Sequence, residues 1–342
     1  MSLAFVESPV QLLNTLEWAH AGGVPADGLT LVVLSPTDPM SRGQLRRTAE
    51  LARDEGFAVV WQEARGGPAA PLRAVRALGP LLRGAERIVI GDPFSRYVQL
   101  LLTLVGGRHL TIVDDGTATM EFVAQTARGE RLVRWHRRGG RRGPRELALA
   151  PVTFAARRRL SPAGARSVEV FTSMPVEAPP GITVTANDYA WTRSRFGPPR
   201  LTRGADLVGT SLVETGVVEL ERYLAAVGAL AAAHGATRYF AHRRESVDKL
   251  ARLTARTGLE VVRPDLPLEL IARRGPIGET VLSFPSTVVH TLPLALAGTG
   301  ITVAVCDIAP EWLRESASPR AQGFLSVVTG TARGVHRLAA PA

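Results

Sequence analysis

The sequence is nearly devoid of cysteine and lysine. Its single cysteine, Cys306, excludes an internal disulfide and any cysteine-built metal site, which suits a reducing, cytoplasmic setting. Every basic residue except Lys249 is arginine. We read that skew as the coding bias of a GC-rich genome rather than selection for phosphate-gripping forks. No GxGxxG follows an early β-branched run, and GxxxxGK[ST] is absent, so dinucleotide oxidoreductases and P-loop nucleotidases are disfavoured. The apolar stretch YVQLLLTLVGG at 97–107 has about half of the ~20 residues that a bilayer span requires. The opening MSLAFVESPVQ has no basic start ahead of a long apolar core, so no signal peptide is expected. These absences predict a soluble cytoplasmic protein, with room for a peripheral place on the inner face of a membrane.

What is present suffices for real cores. With 45% hydrophobic and 21% charged residues over 342 positions, the chain should be folded and long enough for two domains. Short β-branched runs alternate with helical patterns through the first half. LAFV precedes a helix over about 10–21, LTLVVL one over about 41–55, and AVVWQE one over about 72–82. RIVIGD precedes the helix holding YVQLLLTLV, and HLTIVDDG, SVEVFTSM and ITVTAND follow. Such alternation means a parallel sheet with helices on both faces. WTRSRFGPPRLTR mixes Pro, Gly and Arg without periodicity and reads as a linker over 191–204. A second series runs DLVGTSL, a helix over about 217–234, TRYFAHR, a helix over about 246–257, LEVVRP, ETVLSF, a helix over about 287–297, and ITVAVCD. The expected architecture is α/β: two Rossmann-like doubly wound domains, 1–190 and 205–342, facing a cleft.

In open α/β sheets ligands bind beyond the carboxyl ends of the strands, so the polar residues there are the candidates. The first domain offers Glu7, Ser8 and Gln11 after LAFV, Asp92 after RIVIG, and Asp114, Asp115 and Gly116 after HLTIV. The second offers Gly209, Thr210, Ser211 and Glu214, then His242, Arg243, Arg244 and Glu245, and finally Ser286 and Thr287. Hydroxyls at helix starts, with free N–H groups and the positive dipole end, favour phosphate. A base in one domain and an anion pocket in the other suit group transfer from a phosphorylated donor to a hydroxyl.

The DDG triplet at 114–116 fits this chemistry. Adjacent carboxylates repel and burial disfavours them further, but at a cleft edge one can take a proton from an acceptor hydroxyl. Gly116 would permit the tight turn. Asp115 reads equally as a helix N-cap. His242 reads as a strand-end histidine bonded to a carbonyl, or as a phosphate partner if its pKa lies near neutrality. Ser286 also reads as an N-cap behind Pro285, Glu7 and Ser8 as a turn before Pro9, and Arg243–Glu245 as a solvated helix start.

The DDG at Asp114–Gly116, the AHRRE at Ala241–Glu245 and the ST at Ser286–Thr287 resemble, in order and spacing, the bacterial sialyltransferases. That group includes lipooligosaccharide sialyltransferases and capsular polysialyltransferases. ESPVQLLNTLEW at 7–18 is similar to the opening of the polysialyltransferase-like branch, and the resemblance spans about residues 3–310. It implies a GT-B fold and inverting, metal-independent transfer of sialic acid or a related nonulosonic acid from its CMP-activated form. No cofactor beyond that donor is implied; the acceptor would be a glycan or another hydroxyl, and a homodimer is plausible for the family. The resemblance points to Asp115 as the base with Asp114 beside it, and to His242, Ser286 and Thr287 on the CMP phosphate. Two departures stand out. Arg243 occupies the proline position of the family's His-Pro motif. An aspartate viewed as the base in lipooligosaccharide sialyltransferases has only Glu214 as a counterpart, which makes Glu214 the reserve base. The alternatives are a GT-B transferase using a UDP- or dTDP-sugar, or a non-catalytic protein that binds an anionic ligand or a membrane.

Segment 131–159 carries ten arginines against one acid, Glu146, in a chain of net charge +10, so the remainder is close to neutral. Such a segment suits an acidic acceptor or an anionic membrane face, or is simply a solvated loop. Trp135 stands nearly alone among the arginines, so nucleic acid is disfavoured as the partner.

Overall fold

The computed structural model describes every residue except 64, 66, 68–69, 135–149, 316–318 and 342. The chain divides into two compact units, Met1–Trp191 and Thr192–Ala342.

In the first unit seven strands form one parallel sheet. They are β1 (Ser2–Val6), β2 (Leu29–Leu34), β3 (Ala58–Gln62), β4 (Arg87–Ile90), β5 (His109–Val113), β6 (Ser167–Thr172) and β7 (Ile182–Ala186), in the order β3-β2-β1-β4-β5-β6-β7. Central strands covered on both faces need continuous apolar runs, and Leu3, Phe5, Val32, Ile88, Ile112 and Val170 are fully buried. The crossovers are made by α1 (Pro9–Ala21), α2 (Pro39–Asp54), α3 (Ala70–Gly84), α4 (Arg96–Leu104) and α5 (Thr117–Ala127), with α6 (Ala150–Arg159) ahead of β6. Their starts obey local rules. Ser8 Oγ accepts the Gln11 N–H at 3.2 Å and Asp38 accepts that of Ser41 at 2.7 Å, each just ahead of a proline at the first helical position.

The second unit repeats the plan with β8 (Leu201–Val208), β9 (Arg238–Phe240), β10 (Glu260–Val262), β11 (Ile277–Ser283), β12 (Thr302–Cys306) and β13 (His336–Leu338). Their order is β10-β9-β8-β11-β12-β13. Helix α7 (Ala190–Arg195) precedes β8, and α8 (Leu220–His234), α9 (Val247–Thr257), α10 (Leu268–Arg274), α11 (Val288–Ala295) and α12 (Pro319–Thr331) follow in turn. Arg238 grips Asp206 with two bonds of 2.9 and 2.6 Å, and Asp206 also accepts the Gly278 N–H at 2.7 Å. One carboxylate thereby ties β8, β9 and β11 in register.

Two expectations are corrected. The segment 191–204 contains most of α7 and the first residues of β8, where Leu201 pairs with Ile277. Irregular chain is confined to 196–200, around Pro198 and Pro199, because Trp191 and Thr192 are buried and hold the helix in place. In the arginine segment, 150–159 is a helix rather than a solvated loop. Ala156 is buried, and Arg157 and Arg159 donate to the carbonyls of Gly129 and Leu102. Residues 135–149, with five of the ten arginines, lie outside the described residues. No helix among the described residues is long and apolar enough to cross a membrane.

The chain reverses direction across each sheet once, between β1 and β4 and again between β8 and β11. Strand ends on either side of such a reversal leave a crevice, the usual ligand position in open α/β sheets.

Candidate active site

In the first unit the two aspartates of DDG have separate tasks. Asp114 is 1% exposed. Its Oδ1 accepts the Gly116 N–H at 2.8 Å, and its Oδ2 accepts the Ser173 hydroxyl at 2.9 Å and N–H at 3.2 Å. Burial pushes its pKa up and these bonds oppose the rise. The Asp114 carbonyl accepts from Asn14 of α1 at 2.8 Å, and Asn14 accepts from Asn187 at 2.9 Å. Asp114 therefore fastens the turn. Asp114→Ala should leave the Gly116 and Ser173 donors unpaired and cost about 3 kcal/mol in urea unfolding; a loss under about 1 kcal/mol would contradict that assignment.

Asp115 is half-buried, and its N–H donates to Thr119 Oγ1 at 2.8 Å. It does not cap α5. Gly116 holds that position at φ 61°, ψ −117°, a conformation open to glycine. The capping alternative for the Asp115 carboxylate falls away.

The four residues expected on the acceptor side are engaged internally. Glu7 Oε1 accepts from Arg65 at 2.5 Å and from the Ser95 hydroxyl at 3.0 Å, while burial raises its pKa against the pull of Arg65. Ser8 is the N-cap of α1, so the turn reading describes it. Gln11 Oε1 accepts the Glu7 N–H at 2.7 Å and fills the space over Gly91, where an added Cβ would lie 2.2 Å from the Gln11 side chain. Asp92 accepts the Phe94 N–H at 2.9 Å and pairs with Arg134. Arg134 also feels the charges of Asp115 and Glu7. The pairings of Arg65 and Arg134 escaped sequence reasoning because their partners lie 58 and 42 residues away.

In the second unit the reversal between β8 and β11 brings together the ends that carry Gly209–Ser211 and Ser286–Thr287, with the end of β9 and His242 next to β8. Ser286 Oγ is buried and makes no hydrogen bond. Thr287 stands at the N-cap of α11 without a side-chain capping bond. The amides that open the helix therefore have two hydroxyls beside them and no side-chain acceptor.

His242 Nδ1 accepts the Arg244 N–H at 3.2 Å, which places the proton of the neutral ring on Nε2. Burial, then the charges of Arg243, Arg244 and Lys249, push its pKa down to about 3. The near-neutral pKa that conditioned the phosphate reading is thus absent in the free protein, where the ring is uncharged. His290, one turn into α11, is also buried, with Nε2 unpartnered. A histidine on an apolar helix reads as core, so no sequence pattern singled it out.

Glu245 was expected to touch the donor, but it is 4% exposed and saturated. Its Oε1 takes the Tyr239 hydroxyl at 2.6 Å and Lys249 Nζ at 2.7 Å, and its Oε2 takes the His242 N–H at 2.6 Å. Gly209 must be glycine there: a Cβ would lie 2.2 Å from Glu245 Oε2. The Thr210 N–H donates to the Tyr223 hydroxyl at 3.2 Å, and its carbonyl accepts Lys249 Nζ at 3.1 Å. Glu214, the reserve base, pairs with Lys249 at 3.4 Å and accepts the Ser246 N–H at 3.4 Å. Ser211 and Arg243 are half-buried and Arg244 is exposed. Among the described residues no three His, Cys, Asp or Glu side chains cluster as metal ligands.

No family model matches the sequence, and no curated protein matches it significantly. In structure the chain is similar to the α/β-galactoside α-2,3-sialyltransferase of the luminous marine bacterium Photobacterium phosphoreum, with TM-score 0.52 and 9% identity over 98% of each chain. It is also similar to a sialyltransferase from Photobacterium damsela, with TM-score 0.47 and 11% identity over 98% of this chain and 81% of that one. The E. coli heptosyltransferase WaaC bound to ADP-2-deoxy-2-fluoro heptose gives TM-score 0.41 and 14% identity over 94% and 98% of the two chains. At such identities the likeness is one of architecture: the chain has the α/β two-domain fold of a GT-B glycosyltransferase.

Proposed function

We propose that the chain is an inverting glycosyltransferase that moves sialic acid or a related nonulosonic acid from its CMP-activated form to a hydroxyl of a glycan-type acceptor. The observation that carries this reading is the buried, unbonded Ser286 hydroxyl at the uncapped start of α11, on the sheet reversal of the second unit. A buried hydroxyl without a partner costs free energy, and a phosphate oxygen would supply what is missing.

As the bond from the anomeric carbon to the phosphate breaks, its electron pair collects on the CMP phosphate. Ser286, Thr287 and the His242 Nε2–H are donors placed for that charge, at the positive end of α11. A phosphate beside His242 raises the pKa of the imidazole from its low starting point, so the ring can take up a proton on Nδ1, giving up the Arg244 N–H bond there, and share the charge. Asp115 takes the proton of the acceptor hydroxyl as its oxygen attacks the anomeric carbon from the side opposite the phosphate. Arg65, Arg134 and the arginines of 131–159 suit an acidic acceptor or an anionic membrane face.

The test is ligand-induced stabilisation. CMP at a hundredfold excess over Kd should stabilise the protein by about 2.7 kcal/mol and raise Tm, with smaller shifts for UMP and dTDP. Ser286→Ala should leave the unliganded Tm no lower than wild type, because it removes a buried hydroxyl that bonds to nothing, and should remove most of the CMP shift. A larger shift with UMP or dTDP would transfer the donor to the alternative sugar class.

A further inference from the structure

Lys249 is the one lysine among 41 basic residues, and it occupies a place that local rules disfavour. It lies in the first turn of α9, where a cation opposes the helix dipole, and it is 2% exposed. Buried charges persist when paired and fully hydrogen-bonded. The ammonium meets this condition with Glu245 at 2.7 Å, the Thr210 carbonyl at 3.1 Å and Glu214 at 3.4 Å, while resting 4.0 Å from the centre of the Tyr223 ring. Three acceptors and an aromatic face around one point suit a compact tetrahedral ammonium. A planar guanidinium would be too wide and would present its donors in the wrong directions.

The three acceptors lie in loops of the proposed donor pocket, and the Tyr223 ring lies on α8. Thr210 and Glu214 belong to the loop after β8. Glu245 belongs to the loop after β9, where its other oxygen holds the His242 N–H. Tyr239 and Tyr223 extend the chain of bonds at 2.6 and 2.8 Å back to the Thr210 N–H. From this geometry we infer that Lys249 is a positioning residue, a clasp that locks the 209–214 and 242–246 loops in the arrangement that binds the donor phosphate. The inference rests on the pocket proposed above. It also accounts for why lysine survives here in a chain that uses arginine everywhere else.

The experiment compares wild type, Lys249→Arg and the paired neutral variant Lys249→Met/Glu245→Gln by amide hydrogen exchange without ligand and by CMP titration. In Lys249→Arg, amides in 209–216 and 241–247 should exchange faster while those of the first unit are unchanged. CMP should bind on the order of tenfold more weakly, the loss expected when a charge-assisted hydrogen bond goes. If Lys249→Arg fails to fold, the neutral pair decides: removing both charges restores Tm, but the loops stay loose and CMP affinity stays low. Wild-type protection of both loops in Lys249→Arg, or recovery of CMP affinity together with Tm in the neutral pair, would overturn the inference. A wild-type protein that ignores CMP would overturn the donor reading, while the exchange data would still decide whether Lys249 clasps the loops.

Discussion

Asp115→Asn is expected to lower the rate of sugar transfer by on the order of 10²–10⁴-fold, the usual contribution of a positioned general base, with little change in Tm. The amide keeps the size of the carboxylate, and the backbone bond from Asp115 N–H to Thr119 Oγ1 is untouched. What it loses is a lone pair basic enough to take the proton. The neighbouring substitution provides the contrast. Asp114→Asn would turn an amide N–H toward Gly116 or Ser173, which already donate there, so its main effect should be on stability. Single-turnover transfer and thermal melts on the two variants separate the roles. Wild-type turnover by Asp115→Asn would strike Asp115 from the mechanism.

His242→Ala should reduce kcat by on the order of 10²–10³-fold, as loss of one donor to a developing anion typically does. It should also change the acid limb of stability. The folded pKa is about 3 against an ordinary value of 6.5, so below pH 6.5 the unfolded chain binds a proton that the folded chain refuses. The stability linked to this residue is present above pH 6.5 and is lost as pH falls toward 3. Replacing the imidazole should therefore flatten unfolding free energy over that window. CMP binding should draw a proton into the wild-type site, seen by calorimetry in buffers of different ionisation enthalpy. Unaltered proton uptake in His242→Ala would assign it elsewhere.

The topology could be read in the sequence because both sheets are parallel and buried, so each inner strand had to be a short apolar run such as LTLVVL or RIVI. The elements that escaped were α5, α6, α7, α10, α12 and β13. Helix α10 has seven residues and β13 three, too few for a period to show. Position along a strand indicated which loops carry polar residues, but not which way each side chain turns. Glu245, Gln11, Asp114 and Glu7 all follow strand ends, yet each is consumed by a partner in the interior. For Asp114 and Glu7 that partner is 58 or 59 residues away, beyond any local pattern. Lys249 looked like an ordinary helix start because nothing nearby in sequence announces three acceptors converging on it.

The unsatisfied Ser286 hydroxyl and the uncharged His242 ring, already fixed in one tautomer, have a thermodynamic corollary. The hydroxyl is buried and the ring oriented before any ligand arrives, so little of the binding free energy goes into reorganisation. Occupancy should stiffen the second unit rather than reshape it, and variants that relieve Ser286 with an internal partner should gain resting stability at the expense of affinity.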